Sequence, residues 1–298
     1  VPNSLSDQFV YPIIKDREGG IWIGTYYGGI NYVPPYCNQF EGYEPSNVSN
    51  CIKGKIISRF YEDSYGNIWI ASDDGGVSCF STTKRCFIDY PGKAILSKVN
   101  AHAFCADGDN MWIGTYSDGL IIVNTKNGQI KKYSGKNSPI NSTSVYSLLK
   151  DRENRIWAGT MNGACIYNRN NKQFVFLKSF NGLVIDIKED HQGNIWFATQ
   201  GDGLYKYNPT ASKWNHYDNQ NDILSAYINS ICVNTEGKIL VGTPEGLYSY
   251  QQKNNKFNYI QLPISNESIN CIIEESSHYW LTTAKGLIDY TPGKEVKV

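Results

Sequence analysis

The sequence predicts an all-β protein, a seven-bladed β-propeller of four-stranded antiparallel blades in which residues 1–298 form one domain. Three observations predict it. A five-residue segment anchored on a tryptophan at its second position, replaced once by leucine, returns seven times, a tight turn before it and a glycine-containing loop after it return with it, and no segment reads as a helix. The segments are Ile21-Trp22-Ile23-Gly24-Thr25, Ile68-Trp69-Ile70-Ala71-Ser72, Met111-Trp112-Ile113-Gly114-Thr115 and Ile156-Trp157-Ala158-Gly159-Thr160, followed by Ile195-Trp196-Phe197-Ala198-Thr199, Ile239-Leu240-Val241-Gly242-Thr243 and Tyr279-Trp280-Leu281-Thr282-Thr283. The anchors at 22, 69, 112, 157, 196, 240 and 280 lie 47, 43, 45, 39, 44 and 40 residues apart, the span of one four-stranded blade.

Each repeat then reads as four strands. The first is an apolar or alternating run such as Gly54 to Tyr61, Ser144 to Leu149, Leu183 to Ile187 or Ile228 to Val233. A turn follows at Asp16 to Gly19, Asp63 to Gly66, Asp151 to Asn154, Asp190 to Gly193 and Asn234 to Gly237, with a shortened version at Asp107 to Asn110. Asp or Asn bonds the backbone two residues on, and Gly or Asn supplies the positive φ. The anchor is the second strand. The third is Gly29 to Val33, Gly119 to Val123, Gly203 to Tyr207 or Gly246 to Tyr250, and the fourth begins near Phe40, Phe87, Tyr133, Phe174, Trp214 or Phe257. Only Lys294 to Val298 remain for the fourth strand of blade seven.

Composition narrows function. Lys plus Arg and Asp plus Glu number 28 each, so no global field draws the chain to nucleic acid or an anionic membrane. No apolar stretch approaches the length of a membrane helix, and Val1 to Leu5 has neither a basic nor an apolar signal-peptide region. A first residue of valine leads to the expectation that the chain is a piece of a longer protein.

The recurring residues read as architecture. Six of the seven tryptophans share one repeat position, which assigns them to packing between adjacent blades. The Gly-Thr that follows reads as a packing and turn device, because a phosphate cradle needs a glycine loop opening a helix. The Asp-x-x-Gly turns lack the other ligands of a calcium loop, so no metal and no cofactor are expected. His102, His191, His216 and His278 are scattered and read as surface or edge residues. Neither a nucleophile elbow nor a cysteine signature is present, and no catalytic residue is expected. Of eight cysteines, Cys79 and Cys86 flank a predicted hairpin and Cys37 and Cys51 lie after blade one, each pair a disulfide candidate in an oxidising compartment.

The repeats resemble the two-component regulator propeller repeats of periplasmic sensors in Bacteroides-type hybrid histidine kinase/response regulators. Their pattern, Val-x-x-Ile-x-x-Asp-x-x-Gly-x-Ile-Trp-Ile-Gly-Thr-x-x-Gly-Leu-x-x-Tyr, runs nearly intact through Phe9 to Tyr32, Ile56 to Phe80, Val145 to Tyr167 and Val184 to Tyr207. Leu240, Ala164 and the turn at Asp107 depart from it. The opening Asn3-Ser4-Leu5-Ser6-Asp7 looks like the start of the second of two tandem propellers. The resemblance implies a periplasmic domain of an inner-membrane protein, with a propeller upstream and a β-sandwich, membrane helix, kinase and DNA-binding regulator downstream. It also implies homodimers, oligosaccharide sensing, and control of polysaccharide-utilisation genes, without nucleic-acid contact by this domain.

In a propeller the loops joining strands two to three share a face with the entries to strand one around a central channel. Those loops carry the candidate ligand residues Tyr26, Tyr27, Asp73, Asp74, Tyr116, Asp118, Asn162, Gln200, Asp202, Glu245 and Lys285, beside Met161. Aromatic rings to cover a sugar face, with carboxylates and amides for hydroxyls, suit a neutral glycan. The alternatives are a scaffold or dimerisation propeller that binds nothing small, and a propeller lyase or glycan hydrolase needing convergent acid and base groups.

Overall fold

The computed structural model describes residues 5–35, 40–46, 51–135, 140, 142–178, 180, 182–218, 225–262, 267–276 and 278–292. It has the predicted fold class, a seven-bladed β-propeller of antiparallel sheets. The chain divides into two compact units. The first, residues 1–138 with 143–145, holds three blades. Blade one is β1 (Val10–Lys15), β2 (Ile21–Thr25), β3 (Ile30–Val33) and β4 (Glu41–Tyr43). Blade two is β5 (Ile57–Glu62), β6 (Asn67–Ser72), β7 (Gly76–Ser81) and β8 (Cys86–Phe87). After a single-turn helix, α1 (Lys93–Leu96), blade three is β9 (Ala101–Asp107), β10 (Asn110–Thr115), β11 (Leu120–Asn124) and β12 (Ile130–Tyr133).

The second unit, residues 139–142 with 146–298, holds four. Blade four is β13 (Val145–Lys150), β14 (Ile156–Thr160), β15 (Gly163–Asn168) and β16 (Gln173–Lys178), its first strand opening at the unit boundary. Blade five is β17 (Leu183–Glu189), β18 (Ile195–Gln200), β19 (Leu204–Asn208) and β20 (Lys213–Tyr217). Blade six is β21 (Ser230–Val233), β22 (Ile239–Thr243), β23 (Gly246–Gln251) and β24 (Lys256–Ile260), and blade seven is β25 (Cys271–Glu275), β26 (His278–Thr283) and β27 (Gly286–Tyr290). The segment Lys294 to Val298, expected to supply its fourth strand, lies outside the described residues.

The tryptophans pack between blades, as their regularity predicts. Trp22 meets Phe80 of the next blade edge-on at 4.8 Å, Trp157 meets Tyr207 at 6.0 Å, and Trp196 meets Tyr250 at 5.0 Å. Each ring removes roughly 200 Å² from water, on the order of 5 kcal/mol of transfer free energy. Four of the indole N–H groups are satisfied from the turn before them. Trp22, Trp69, Trp157 and Trp196 donate to Asp16, Asp63, Asp151 and Asp190 at 2.8–2.9 Å. The other oxygen of each carboxylate accepts the backbone N–H four residues on, as in Asp16 to Gly20 at 2.7 Å. One aspartate therefore caps the hairpin and anchors the ring six residues later. Asn154, at φ 62°, takes the left-handed position held by glycine in the other long turns.

The glycine of the anchor segment is required by close approach. A methyl at Gly24 would come within 2.7 Å of Ile57, and one at Gly159 within 2.8 Å of the Val184 carbonyl, both on the next blade's first strand. The threonine that ends the anchor segment is buried in every blade that has one, and its hydroxyl donates across the two-to-three loop, as in Thr25 to the Gly29 carbonyl at 2.9 Å and Thr199 to that of Gly203 at 2.6 Å. Both residues are thus packing and turn devices.

Four expectations are corrected. The fourth strand of blade three ends at Tyr133 instead of beginning there. A helix is present, although α1 is one turn long. Cys86 lies opposite Ser81, and Cys79 lies opposite Ile88, so the two thiols do not face each other and both are free. His102 is largely buried, with an 18% exposed side chain, because β9 carries it inward at a bulge. Cys37 lies outside the described residues. Among those residues, no helix is long and apolar enough to cross a membrane, and no group of three His, Cys, Asp or Glu side chains is placed to hold a metal ion.

Candidate functional site

The first strands of blades one, two and three share an irregularity near their N-terminal ends. Pairing with the second strand slips between Val10 and Ile13, between Ile57 and Arg59, and between Ala101 and Ala103. Such bulges re-aim a side chain that would otherwise follow the pleat. The residues at them are Tyr11, Ser58 and His102. In blade one Pro12 adds to the break, since it has no N–H for a ladder.

These bulges adjoin the two-to-three loops. Tyr26, Asp73 and Tyr116, the first residue of each loop, donate their backbone N–H to Phe9, Ile56 and Asn100 at the entry to strand one. The expected neighbourhood of the two connections therefore holds within this unit. Side chains follow suit. Tyr11 and Tyr26 have ring centroids 5.9 Å apart, and Tyr26 meets Tyr27 edge-on at 4.5 Å. His102 Nε2 lies 3.6 Å from Asp73 Oδ1 and its ring 6.4 Å from Tyr116. Tyr27 is 65% exposed and Tyr116 48%, so both offer ring surface to solvent.

Asp73 is the most unusual of these groups. Its Oδ1 is buried and accepts no hydrogen bond among the described residues, although the Ser58 hydroxyl supports the carboxyl. Burial, reinforced by Asp74, raises its pKa to about 6. Burial, assisted by Arg59, lowers that of His102 to about 4. The two are 3.6 Å apart and burial is the largest cause of both shifts, so between these values the pair is a neutral acid beside a neutral imidazole.

Five other candidates are committed elsewhere. Asp74 caps the entry to β5, accepting from Lys55 and Ile56 at 2.9 and 3.1 Å. Asp118 faces Lys132 at 3.6 Å. In the second unit Gln200 donates to the Ile228 carbonyl at 2.9 Å, and Lys285 pairs with the nearly buried Glu267. Asp202 accepts from Tyr205 at 2.8 Å beneath the His216 ring, which stacks on Tyr205 at 4.1 Å. Asn162 and Glu245 are exposed, and their backbone N–H groups donate to the hydroxyls of the loop threonines Thr160 and Thr243. Tyr26, Tyr27, Asp73 and Tyr116 therefore remain as the predicted residues that the first unit presents. Tyr11, Ser58 and His102 were missed, and one signal could have found them: a chemically variable position directly after the repeated apolar residues Val10, Ile57 and Ala101.

Residues 4–27, 51–74, 139–162 and 179–201 each match the repeat family described as two component regulator propeller. No curated protein matches the sequence. Among solved structures the chain is similar to the extracellular domain of the hybrid two component system BT3049 from B. thetaiotaomicron, at 22% identity and a TM-score of 0.80, over 96% of this chain and 40% of that one. It is similar to that of BT4673 from the same organism at 20% identity and a TM-score of 0.80, covering 96% and 39%. A virginiamycin B lyase from Staphylococcus aureus is 12% identical with a TM-score of 0.77, covering 96% of both chains. At these identities the likeness is one of fold, and the chain spans about two fifths of the length of the two extracellular domains.

Proposed function

We propose that this chain, four segments of which match two component regulator propeller repeats, is an extracytoplasmic sensing domain of a hybrid two-component protein. It detects a neutral oligosaccharide on the loop face of its first three blades and passes that binding to a histidine kinase controlling polysaccharide-utilisation genes. The observation that carries this reading is the half-buried carboxyl of Asp73 beside His102, whose ring in turn neighbours the exposed ring of Tyr116. An uncharged sugar offers a hydroxyl to the exposed part of that carboxyl, and its apolar face covers an aromatic ring without a counterion. The matched repeats, and the fold shared with extracellular domains of hybrid systems, support the compartment and the signalling role.

A second reading has its own support. Phe9, Tyr11 and Tyr27 are 49%, 49% and 65% exposed at one end of blade one, an aromatic patch suited to an adjoining propeller, the β-sandwich or a second subunit. Calorimetry with a panel of neutral plant and host oligosaccharides separates the two. Saturable binding by the isolated domain, weakened about tenfold in Tyr116→Ala and Asp73→Asn, supports direct sensing. Binding only in a longer protein with its flanking domains makes the patch a docking surface, and turnover of any glycan would overturn both readings.

A further inference from the structure

A cavity of about 290 Å³ lies between blades two and three at the hairpin-turn end of the strands. It is separated from Tyr116 by the length of β10, about 20 Å. Its origin is a missing piece of chain. In blade two Glu62 pairs with Ile68, so five residues make the turn, whereas in blade three Asp107 pairs directly with Asn110 across Gly108 and Asp109. The turn that would cover the neighbouring sheet is absent, and the space opens over Trp69, Cys79, Tyr90 and Met111, all buried.

We propose that this cavity binds a small neutral single-ring molecule that carries a hydroxyl group. Neutrality follows from its charges. Asp63 is saturated by Tyr65, Asn67 and Trp69, Lys126 is paired with Asp109 at 2.9 Å, and Lys93 is paired with Asp89. A charged ligand would lose its hydration and meet no free counterion among the described residues. The hydroxyl follows from two amides on the wall. Asn67 spends its Nδ2 on Asp63 at 3.0 Å, leaving its carbonyl, while Asn110 spends its carbonyl on Asn124 at 3.4 Å, leaving its NH₂. One acceptor and one donor match a group that both donates and accepts. The single ring follows from the volume, at the small end of ligand pockets, over an aromatic and sulfur floor. A phenol and a sugar residue share this chemistry.

The chain has two methionines, and they sit in useful places. Met111 lines the cavity, whereas Met161 is 41% exposed on a two-to-three loop of the other unit. With methyl-labelled methionine, p-cresol and methyl β-glucopyranoside are titrated separately while both methyl resonances are followed. The expected result is a saturable shift of Met111 with one probe and none of Met161, and the responding probe identifies the class. Ala106→Leu, which extends a wall residue into the space, abolishes the shift, and Asn110→Ala weakens it about tenfold. No Met111 response to either probe, equal responses at both methyls, or an unchanged titration in folded Asn110→Ala overturns the proposal.

Discussion

The aspartate that opens four of the five long turns is the most economical residue of the repeat, because one carboxylate does two jobs. Asp190, fully buried, accepts from the backbone of Gln192 and Asn194 and from the indole of Trp196 at 2.8–3.0 Å. Asp190→Ala strands several buried donors at once and is expected to cost about 3 kcal/mol, read as a lowered urea midpoint, with Asp190→Asn less severe. Blade three has Ala106 at the equivalent position, and blade seven uses Glu275, which accepts from Trp280 at 2.6 Å. A second residue-scale expectation concerns pH. Asp73 has a folded pKa raised by burial to about 6, so its protonated form stabilises the fold at low pH and that stability is lost as pH rises toward 6. His102, lowered by burial to about 4, acts oppositely, since stability grows as pH rises from 4 to its unfolded value near 6.5. The two largely offset each other in the wild type. Asp73→Asn should therefore show stability climbing with pH between 4 and 6.5, and His102→Gln should show it falling, in denaturation midpoints measured across that range.

At the scale of the element, the blades are tied to one another by their turns as well as by apolar packing. The residue after the turn aspartate reaches the next blade: Arg17 donates to the Asp63 and Ser64 carbonyls, and Arg152 to those of Asp190 and His191. In both, the backbone N–H of the arginine also meets a glutamate of that blade, Glu62 or Glu189. The loops at the other end are held by the buried threonines. Thr199 donates to the Gly203 carbonyl and accepts from Asp202 N–H at 3.1 Å. Thr199→Val keeps the shape and removes both bonds, and about 1–2 kcal/mol of destabilisation is expected, with faster amide exchange at Asp202 and Gly203. The turns, anchor strands and loop positions were legible because each obeys a local rule that repeats. The bulges at Tyr11, Ser58 and His102 were not, because register slips arise from pairing between strands, which a single strand's alternation does not encode.

For the whole molecule, balanced charge makes a prediction about the ligand. With 28 basic and 28 acidic side chains and a neutral glycan, affinity should change less than about twofold between 50 and 500 mM salt in calorimetry. A tenfold loss would assign a sulfated or uronic glycan instead. The sequence by itself determined the fold class, the number of blades, the packing role of the tryptophans and the capping role of the aspartates, because a repeat samples the same short-range physics seven times. It also narrowed the candidate face to eleven loop residues. Only the tertiary structure showed that Asp74, Asp118, Gln200, Asp202 and Lys285 are held by partners while Tyr27 and Tyr116 keep ring surface exposed to solvent. Those partners come from residues as much as 28 positions away or from neighbouring strands, and the cavity beside Trp69 depends on two blades lying side by side, so desolvation, pairing and void space were not written in any one repeat.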